Sequence, residues 1–435
     1  MQRYDKYKDS GIEWLGEVPE HWVMRPNKYV FQLVKNQVGK RSGEYDLLSL
    51  TLRGIVKRDM ENPEGKFPAE FDTYQEVKVN DFVFCLFDVE ETPRTVGLSS
   101  FDGMITGAYT VMKPLKGIHA PFMYYYYLNA DDKKQLKFLY RGLRNTIPKD
   151  SFSSLKSIIP PIEEQETIAN FLGDKCEKID GAVILKEQQI EKLKELRQIT
   201  IHNAVTKGIS HFKGEVVLMK NSGIDWIGQV PERWGVRRLA SLGFFSKGGG
   251  FSKADLVEED GEPAILYGDI YTKYNYKILS PIRLISRKAS SQAVKLEFND
   301  LLFTGSGELK EDIGKCVAFK SRLATFAGGD VIIFKQKNNS SEFLSYCMNT
   351  NGAKYEKAKS SKGEIIVHTY ASKLREISVP TPPLHEQQEI VAYLEEQTAK
   401  IDKAIVQKQE QIVKLKEYKQ SLINEVVTGK LKVTE

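Results

Sequence analysis

The chain of 435 residues contains few cysteines and no long apolar segment. Its four cysteines, Cys85, Cys176, Cys316 and Cys347, form no close pair and lie near no cluster of histidines. Neither a disulfide framework nor a structural zinc site is therefore expected. The N-terminal residues lack the apolar core of a secretory signal, and no stretch approaches the roughly 18 consecutive apolar residues of a membrane helix. These absences predict a cytoplasmic protein, and the length predicts about two or three folded domains.

Recognisable catalytic motifs are missing as well. The segment from Gly307 to Lys315 resembles a phosphate-binding loop, but six residues separate its glycines and no Ser or Thr follows the lysine. The pair His385-Glu386 resembles the start of a zinc-protease helix, but position 389 is Glu instead of the required His. The glycines at 248–250 lack the strand, turn and helix spacing of a dinucleotide site, and no Asn/Asp-Pro-Pro-aromatic segment of an amino-methyltransferase occurs. The sequence predicts no active site, and no metal or cofactor bound by this chain.

An internal repeat organises the chain. Residues 8–22, KDSGIEWLGEVPEHW, match residues 220–234, KNSGIDWIGQVPERW, at ten of fifteen positions. A second match relates the segment that begins PPIEEQ at Pro160 to the one that begins PPLHEQ at Pro382, with 21 identities in 49 positions at an offset of 222. Two matches in the same order predict two diverged copies of one unit, each a variable body followed by a longer segment.

The longer segments have the periodicity of amphipathic helices. Apolar residues recur at heptad spacing, and Pro-Pro pairs at the start and Gly208 and Gly429 near the end fit helix boundaries. About 45 residues at 1.5 Å each make a rod of roughly 65–70 Å. Because a lone rod would expose its apolar stripe, we expect the two helices to pair with each other. Since the bodies separate them along the chain, we expect an antiparallel pair with each helix ending against a body, and a pseudo-two-fold axis between the two halves. The predicted seam contains Ile179, Val183, Ile190, Leu193, Thr200 and Ala204 in the first helix and Ile401, Ile405, Ile412, Leu415, Leu422 and Val426 in the second.

Basic residues interrupt both predicted seams. They are Lys186 and Arg197 in the first helix and Lys408 and Lys419 in the second. Two interpretations are open at this stage. The basic residues fix the register and direction of the pair through polar contacts, or their long side chains extend past the seam into solvent.

These patterns divide the chain into five segments. They are a first body (1–160), a first helix (161–208), a second body (209–381), a second helix (382–430) and a tail (431–435). Net charge is +2 for residues 1–160, −2 for 161–212, +6 for 213–380 and −1 for 381–435. We therefore expect an anionic ligand to bind the bodies, with the second body dominating the salt-sensitive part of binding.

Basic, polar and glycine-rich segments of the bodies are the candidates for contacting nucleic acid. The loop 246–253 combines lysines with three glycines whose amides suit phosphate oxygens. Segments 267–274 and 303–307 add aromatic and hydroxyl groups, and segments 52–58 and 141–146 are the basic segments of the first body. The candidate residues are Arg53, Lys57, Arg58, Arg94, Arg141, Arg144 and Asn145 in the first body and Lys247, Gly249, Ser252, Lys253, Tyr271, Lys273, Thr304, Ser306, Lys315 and His368 in the second.

These features also have structural interpretations. Glycine-rich loops are often only turns, and scattered cations commonly form a solvated face. The tyrosines at 124–127 have helical spacing beside a leucine, which favours a place in the core over base stacking. Trp14 with Trp226, and Trp22 with Trp234, recur in both copies while the candidate contact loops do not. We interpret these tryptophans as structural, and expect the parts that differ to bind the ligand.

The chain resembles the specificity subunit of a Type I restriction–modification system over nearly its whole length. The resemblance rests on SGIEWLGEVPEHW and SGIDWIGQVPERW at the start of each half, and on PPIEEQ and PPLHEQ at the start of the helices. It also rests on the alternation of variable body and helix. It implies α/β (α+β) target recognition domains joined by two spacer helices that pair as an antiparallel coiled coil.

The resemblance also implies a function. A chain of this family is expected to bind double-stranded DNA without catalysis, each domain reading one half of a bipartite, asymmetric site. The helices are expected to set the spacer, so that a helix longer by one turn changes the spacer and leaves both half-sites the same. They are also expected to dock two methylation subunits, which supply S-adenosylmethionine and flip the target adenine. A restriction subunit, where present, adds ATP and Mg for translocation and cleavage.

Two functions of other classes fit the same pattern. One is a coiled-coil scaffold whose two α/β bodies bind proteins, and the other is a nuclease or methyltransferase whose site the motifs do not reveal. Methylation of DNA by the isolated chain with S-adenosylmethionine would identify the latter enzyme. DNA affinity that falls steeply with salt distinguishes a DNA reader from such a scaffold. The base-contacting residues cannot be inferred from the resemblance, because they lie in the parts of the family that vary.

Overall fold

The computed structural model describes residues 2–60, 70–363 and 366–433. The chain forms two compact units, Met1–Glu187 with Gln409–Glu435, and Gln188–Lys408. Each unit thus contains one variable body and a stretch of both long helices. The unit boundaries lie within the helices, whereas the repeat boundaries of the sequence lie at the helix ends.

The first body is built around a small antiparallel sheet. Its described strands are β1 (Tyr7–Asp9), β2 (Glu17–Pro19), β3 (Val23–Pro26), β4 (Phe31–Val34), β5 (Leu48–Thr51), β6 (Gly54–Lys57), β7 (Gln75–Val77), β8 (Phe82–Phe84), β9 (Val96–Leu98), β10 (Gly103–Ile105), β11 (Thr110–Pro114) and β12 (Lys156–Ile159). Helices α1 (Ala120–Asp132) and α2 (Lys149–Ser154) precede β12, and the long helix α3 (Ile162–Lys207) follows it. The central sheet has the order β4-β11-β8-β9. Tyr126 and Tyr127 of α1 are buried against Phe82 and Phe84, which confirms that the tyrosine run belongs to the core.

The second body has two larger sheets. Its strands are β13 (Met219–Asn221), β14 (Gln229–Pro231), β15 (Gly235–Arg238), β16 (Gly243–Lys247), β17 (Leu256–Val257), β18 (Glu262–Ile265), β19 (Lys277–Ile278), β20 (Arg283–Ile285), β21 (Val294–Lys295), β22 (Leu301–Thr304), β23 (Ser306–Gly307), β24 (Cys316–Phe319), β25 (Phe326–Ala327), β26 (Val331–Gln336), β27 (Val367–His368) and β28 (Ser378–Thr381). The helices are α4 (Ser210–Lys213), α5 (Tyr267–Thr272), α6 (Arg287–Ser290), α7 (Ser341–Met348), α8 (Asn351–Ser360), α9 (Ala371–Leu374) and the long helix α10 (Leu384–Val427). One sheet has the order β16-β26-β22-β24-β19 and the other the order β17-β20-β18-β25-β21.

The two bodies share the turn that leads into a central strand. Asn80 before β8 and Asn299 before β22 both have a left-handed backbone, with φ of 71° and 77°, a conformation that asparagine adopts more readily than most residues. The aspartate that follows each, Asp81 or Asp300, is buried. Its carboxylate accepts a hydrogen bond from the backbone N–H three residues earlier, at 2.9 and 2.8 Å. This shared turn supports the prediction of two diverged copies of one domain.

The long helices begin after the two Pro-Pro pairs and end shortly before a glycine. Helix α3 begins directly after Pro161 and α10 directly after Pro383. Gly208 and Gly429 follow the helices with φ of 78° and 72°, the left-handed conformation in which glycine commonly ends a helix. No helix among the described residues is long and apolar enough to cross a membrane.

Within the first unit, α3 and α10 run antiparallel. Lys419 Nζ donates to the carboxylate of Asp180 (2.7 Å), and Lys186 Nζ donates to Gln411 Oε1 (2.7 Å). Asp180 precedes Lys186 along α3, whereas the partner of Asp180 on α10, Lys419, follows Gln411, the partner of Lys186. The two helices are therefore antiparallel, as the sequence predicts.

The second unit contains the repeat counterparts of both contacts. Arg197 Nε lies 3.0 Å from Asp402 Oδ1, and Lys408 Nζ donates to Gln189 Oε1 (2.7 Å). Each of these four residues is displaced by 222 positions from its counterpart in the first unit. Of the two interpretations of the basic seam residues, the cross-helix polar contact is therefore the one that the structure supports.

The twelve predicted seam residues are all buried or half-buried. The best covered lie near the bodies, where Leu422 and Val426 belong to the core of the first unit and Ala204 to the core of the second. Burial of both apolar stripes removes them from water and stabilises the pairing.

The two repeated motifs meet where each body joins its helix. In the first unit Trp22 Nε1 donates to Glu164 of the PPIEEQ motif (3.1 Å). In the second unit Trp234 Nε1 donates to Glu386 (3.0 Å). Both indole rings are almost completely buried, which agrees with their interpretation as structural residues. A buried indole N–H requires an acceptor, and the repeated glutamate provides it.

The next residue of each motif secures a helix of the body. Gln165 Oε1 accepts the backbone N–H of His119, the residue before α1, at 2.8 Å. Gln387 Oε1 accepts the N–H of Ser340, the residue before α7, also at 2.8 Å. Each glutamine amide also donates to a carbonyl of its own Pro-Pro pair. Both glutamines are buried, so each fixes the start of a body helix against the start of a long helix.

Candidate nucleic-acid interface

The second body brings three candidate residues to one open depression. Lys247, Ser252 and Lys253 line a space of about 500 Å³. Lys247 ends β16, and Ser252 caps the short turn after the glycines by accepting the N–H of Ala254 (3.3 Å). Both lysines are exposed. Two lysines at the rim of a concave surface suit an anionic ligand.

The glycine amides of this loop are already occupied. The N–H of Gly248 donates to Val331 O (2.8 Å), and the N–H of Gly249 donates to Ala327 O (2.9 Å). The expectation that these amides suit phosphate oxygens is therefore wrong for these two glycines. The loop offers its lysine side chains instead.

Several candidates of the second body hold the body together. Lys315 Nζ donates to the carbonyls of Tyr271 and Tyr274 (3.0 and 2.7 Å), and burial lowers the pKa of this amine. Thr304 is fully buried and donates to Tyr271 Oη (2.7 Å). We therefore remove Lys315, Tyr271 and Thr304 from the candidate surface, because their polar groups are occupied inside the body.

Two further candidates contact each other across a short strand pair. Ser306 Oγ lies 3.0 Å from His368 Nδ1, where β23 pairs with β27. Ser306 is buried and His368 half-buried. Lys273, which follows α5, is exposed but does not line the depression.

In the first body, one candidate group lies on the hairpin formed by β5 and β6. Arg53 is exposed at the turn between the two strands. Lys57 forms an ion pair with Asp46 (2.5 Å) and lies over the ring of Phe101. The backbone N–H of Arg58 donates to Leu47 O (2.8 Å). The hairpin therefore presents Arg53 at its tip and a partly neutralised lysine at its base.

The second candidate group of the first body is neutralised by carboxylates of the body itself. Arg144 Nε donates to Asp88 Oδ1 (2.9 Å), and this guanidinium lowers the pKa of the Asp88 carboxyl. Asn145 donates to Glu91 (3.0 Å). Arg141 is exposed and donates to backbone carbonyls nearby.

Arg94 is a mostly buried candidate of the first body. Its side chain is only 15% exposed and lies between Asp131 (3.3 Å) and Asp132 (2.7 Å). A guanidinium held in this way by two carboxylates is a structural ion pair. We remove Arg94 from the candidate surface for that reason.

The depression also contains residues outside the candidate set. Tyr267 and Arg283 line it together with Asp330. Tyr267 begins a segment whose mixture of aromatic and charged residues is visible in the sequence. Arg283 lies on β20 and forms an ion pair with the buried Asp269 (3.2 Å). The sequence around Arg283 does not indicate that it lines this depression, because only the packing of separate strands brings Arg283 close to the glycine-rich loop.

Among the residues that the structure describes, no three His, Cys, Asp or Glu side chains are grouped closely enough to hold a metal ion. All four cysteines are free thiols and buried.

The sequence matches a family model over residues 104–195 and 231–414. The family is described as the Type I restriction modification DNA specificity domain. The two matched ranges cover more than half of the chain and include parts of both bodies and both long helices.

Individual relatives match over almost the full length. The chain is 24% identical over 450 residues to the putative type I restriction enzyme MjaX specificity subunit of Methanocaldococcus jannaschii, covering 98% of each protein. It is 22% identical over 451 residues to the type I restriction enzyme EcoKI specificity subunit of Escherichia coli K12, covering 96% of this chain and 90% of the relative.

Solved structures share the fold. The HsdS subunit from Thermoanaerobacter tengcongensis matches with a TM-score of 0.54 at 16% identity, over 95% of this chain and 98% of that one. A chain solved in a study of complex assembly and conformational transition of the type I R-M system matches with a TM-score of 0.68 at 14% identity, over 95% and 99%. The chain therefore belongs to the Type I restriction–modification DNA specificity family, as a DNA-recognition subunit that is not itself catalytic.

Proposed function

We propose that the chain directs DNA methylation to a bipartite, asymmetric site, with one body reading each half-site. The observation that carries this proposal is the combination of a repeated frame with unlike surfaces. Both bodies have the same junction with their helix and the same turn before a central strand. Their exposed basic groups lie on different elements, a hairpin in the first body and a glycine-rich loop in the second. Two different readers imply two different half-sites.

The depression of the second body is the proposed contact for one half-site. Lys247 and Lys253 supply charge for phosphate oxygens, and such contacts position a protein on DNA without reading the sequence. Tyr267, which is 38% exposed, and Arg283 add groups that suit base edges. This body also carries the larger positive charge, +6 over residues 213–380.

The hairpin of β5 and β6 is the proposed contact of the first body. A two-stranded ribbon fits the major groove of B-DNA. Arg53 at its tip has the side chain that most often reads guanine there, through O6 and N7. The half-site read by the first body therefore depends on this turn more than on Arg144, whose charge is neutralised by Asp88.

The paired helices are proposed to dock two methylation subunits. Exposed apolar side chains occur at repeat-related positions of both units. The first unit exposes Ile184 and Tyr418, and the second exposes Val406 and Leu196, each side chain about half exposed. Ile184 corresponds to Val406, and Leu196 to Tyr418, at the offset of 222. Exposed apolar side chains that recur at equivalent positions of the two units suit two copies of one partner.

The cofactors are proposed to belong to these partners. The methylation subunits bring S-adenosylmethionine and flip the target adenine out of the duplex. A restriction subunit, where one is present, brings ATP and Mg for translocation and cleavage. The chain described here supplies the DNA sequence preference and the spacing of the two half-sites.

The test is a genome-wide map of modified adenines in cells with and without the chain. We expect a two-part motif that disappears when the chain is deleted. A seven-residue insertion at matched positions, after Gln188 and after Glu410, keeps the heptad seam and adds about 10 Å to each helix. This length corresponds to about three base pairs at 3.4 Å each. We expect the spacer to lengthen accordingly while both half-sites stay the same.

The control is an equal insertion after Val216, an exposed loop position whose length does not affect the helices. It should leave the spacer unchanged. A continuous motif would refute the bipartite site, and an unchanged spacer in the helix variant would refute the ruler.

A further inference from the structure

An open groove lies on the first unit beside the repeated motif of residues 8–22. Its volume is about 1180 Å³. The walls are the loop Gly11–Trp14, the segment Lys133–Leu139 after α1, and Ser151–Lys156 at the end of α2 and the start of β12. None of the candidate DNA-contacting residues is among its lining residues. The proposed DNA interface therefore leaves this groove without a function.

The groove has an apolar interior. Ile12, Trp14, Leu139 and Leu155 line it and are half-buried. Phe138 also lines it, with its side chain 54% exposed. An exposed phenylalanine beside half-buried apolar walls is typical of a surface that another molecule covers.

The rim of the groove is basic. It contains Lys133, Lys134, Lys137 and Lys156 against a single acid, Glu13. Lys134 pairs with Asp131 and Lys137 with Glu90, both at 2.8 Å. Lys133 and Lys156 are exposed, and no carboxylate of the described residues lies within 4.0 Å of either amine. These two lysines are available to pair with carboxylates of another molecule.

The second unit covers the equivalent tryptophan with a helix of its own. Trp226 corresponds to Trp14 at the offset of 212. Helix α8 packs so closely on it that a Cβ atom added to Gly352 would lie 2.4 Å from Trp226 Cβ. In the first unit, the chain turns away at Lys134, with φ of 47°, and forms only a short 3-10 helix at Lys137–Leu139. The space beside Trp14 is therefore open, whereas the equivalent space beside Trp226 is filled by a helix with a glycine at the contact.

We propose that this groove binds an acidic, amphipathic helix of another protein subunit of the same restriction–modification complex. A small residue of that helix packs on Trp14 as Gly352 does on Trp226. Its apolar face covers Phe138, and its carboxylates pair with Lys133 and Lys156. Glu13 and the apolar walls disfavour a nucleic-acid backbone. The inference goes beyond DNA recognition, since it concerns a surface that the proposed DNA contacts do not use.

The test is site-specific photo-crosslinking in the complex assembled from the full-length chain and its partner subunits. Phe138 is replaced by p-benzoylphenylalanine, and the crosslinked segment is identified by mass spectrometry. The matched control carries the same group at Tyr355, which is exposed on α8 of the second unit. We expect position 138 to crosslink an acidic helical segment of a partner subunit, and position 355 not to reach that segment.

The charge is tested by a double substitution, Lys133→Glu with Lys156→Glu. We expect the crosslink yield at position 138 to fall by about tenfold or more. The control pair Lys35→Glu with Lys116→Glu makes the same change at exposed lysines outside the groove and should leave the crosslink unchanged. DNA affinity should change no more in the first pair than in the control pair.

Three outcomes would overturn the inference. They are a crosslink from position 138 to DNA, a crosslink to a second copy of this chain, and no crosslink in the fully assembled complex. Each of these outcomes is measured independently of the map of modified adenines. An error in the proposal about the groove can therefore be distinguished from an error in the proposed function.

Discussion

At the junction of body and helix, the first unit pairs Trp22 with Glu164, and the second pairs Trp234 with Glu386, through hydrogen bonds of 3.1 and 3.0 Å. Away from that junction the bodies diverge. The first encloses its α1 tyrosines with one four-stranded sheet, while the second has two five-stranded sheets and a buried lysine. The repeated residues therefore hold the frame, and the residues that are not repeated create the surfaces available for recognition.

The two bodies also differ in whether their candidate basic side chains are paired with carboxylates. In the first, Arg94 and Arg144 are neutralised by carboxylates of the body itself. In the second, Lys247 and Lys253 line an open depression, and no carboxylate of the described residues lies within 4.0 Å of either amine. The number of basic residues alone would not show this difference, because pairing decides how much charge a ligand meets.

The largest effect is expected at the two junctions. Trp22→Ala and Trp234→Ala each remove a buried indole and one of the hydrogen bonds that the junction glutamate accepts. We expect each to lower the free energy of unfolding by about 3–5 kcal/mol, measured by denaturant unfolding. Trp→Phe at the same positions keeps most of the packing and should be milder. If one Trp→Ala substitution lowered the free energy of unfolding by less than half as much as the other, the two junctions would not be equivalent.

A smaller effect is expected at the buried lysine that distinguishes the second body. Lys357 of α8 is completely buried and donates to Gly314 O (2.6 Å), and burial lowers the pKa of its amine to about 8. An unfolded lysine has a pKa near 10.4, so between about pH 8 and 10 the unfolded chain binds more protons than the folded one. The free energy of unfolding should therefore rise with pH across this window, by up to about 3 kcal/mol.

The variant Lys357→Met tests this difference. It should lack the rise that wild type shows between pH 8 and 10, while other titrating groups contribute equally to both proteins. No lysine in the described part of the first body is fully buried, so we expect this dependence from the second unit alone. Parallel pH profiles for wild type and variant would contradict it.

The smallest effect is expected at the DNA surface. Lys247→Ala with Lys253→Ala should weaken DNA binding several-fold in a filter-binding assay. It should reduce the slope of log affinity against log salt by about 2, since each lost phosphate contact removes about 0.9. Lys57→Ala in the first body, where Asp46 already neutralises the charge, should change the slope less. A loss of affinity confined to certain base sequences would show that the loop reads bases.

Local sequence was sufficient to predict the helices. Heptad spacing within each long segment identifies the seam residues, and the Pro-Pro pairs and glycines mark the helix ends. Both signals are local, because heptad packing and helix ends depend on residues close in the chain. The pairing followed from the exposed stripe that a single helix would leave, and the antiparallel direction from the bodies that separate the two helices along the chain.

The candidate surface was only partly predictable from the sequence, because burial and ion pairing of its side chains depend on residues distant in the chain. Lys247, Ser252 and Lys253 are near in sequence and remain together in the depression. Thr304 and Lys315 have the same polar character, but strand packing directs them into the body. Arg283 joins the depression from another strand, and no local pattern indicates this.

The glutamines at the start of the long helices have a consequence for the origin of new specificities. Gln165 and Gln387 accept a backbone N–H, from a histidine in one copy and a serine in the other. A backbone N–H is present whatever the side chain, so these two hydrogen bonds do not depend on the identity of the residue that donates them. A recombination event that exchanges one body between its Trp-containing motif and its Pro-Pro pair would therefore keep these two backbone hydrogen bonds and replace the proposed recognition surface in a single step.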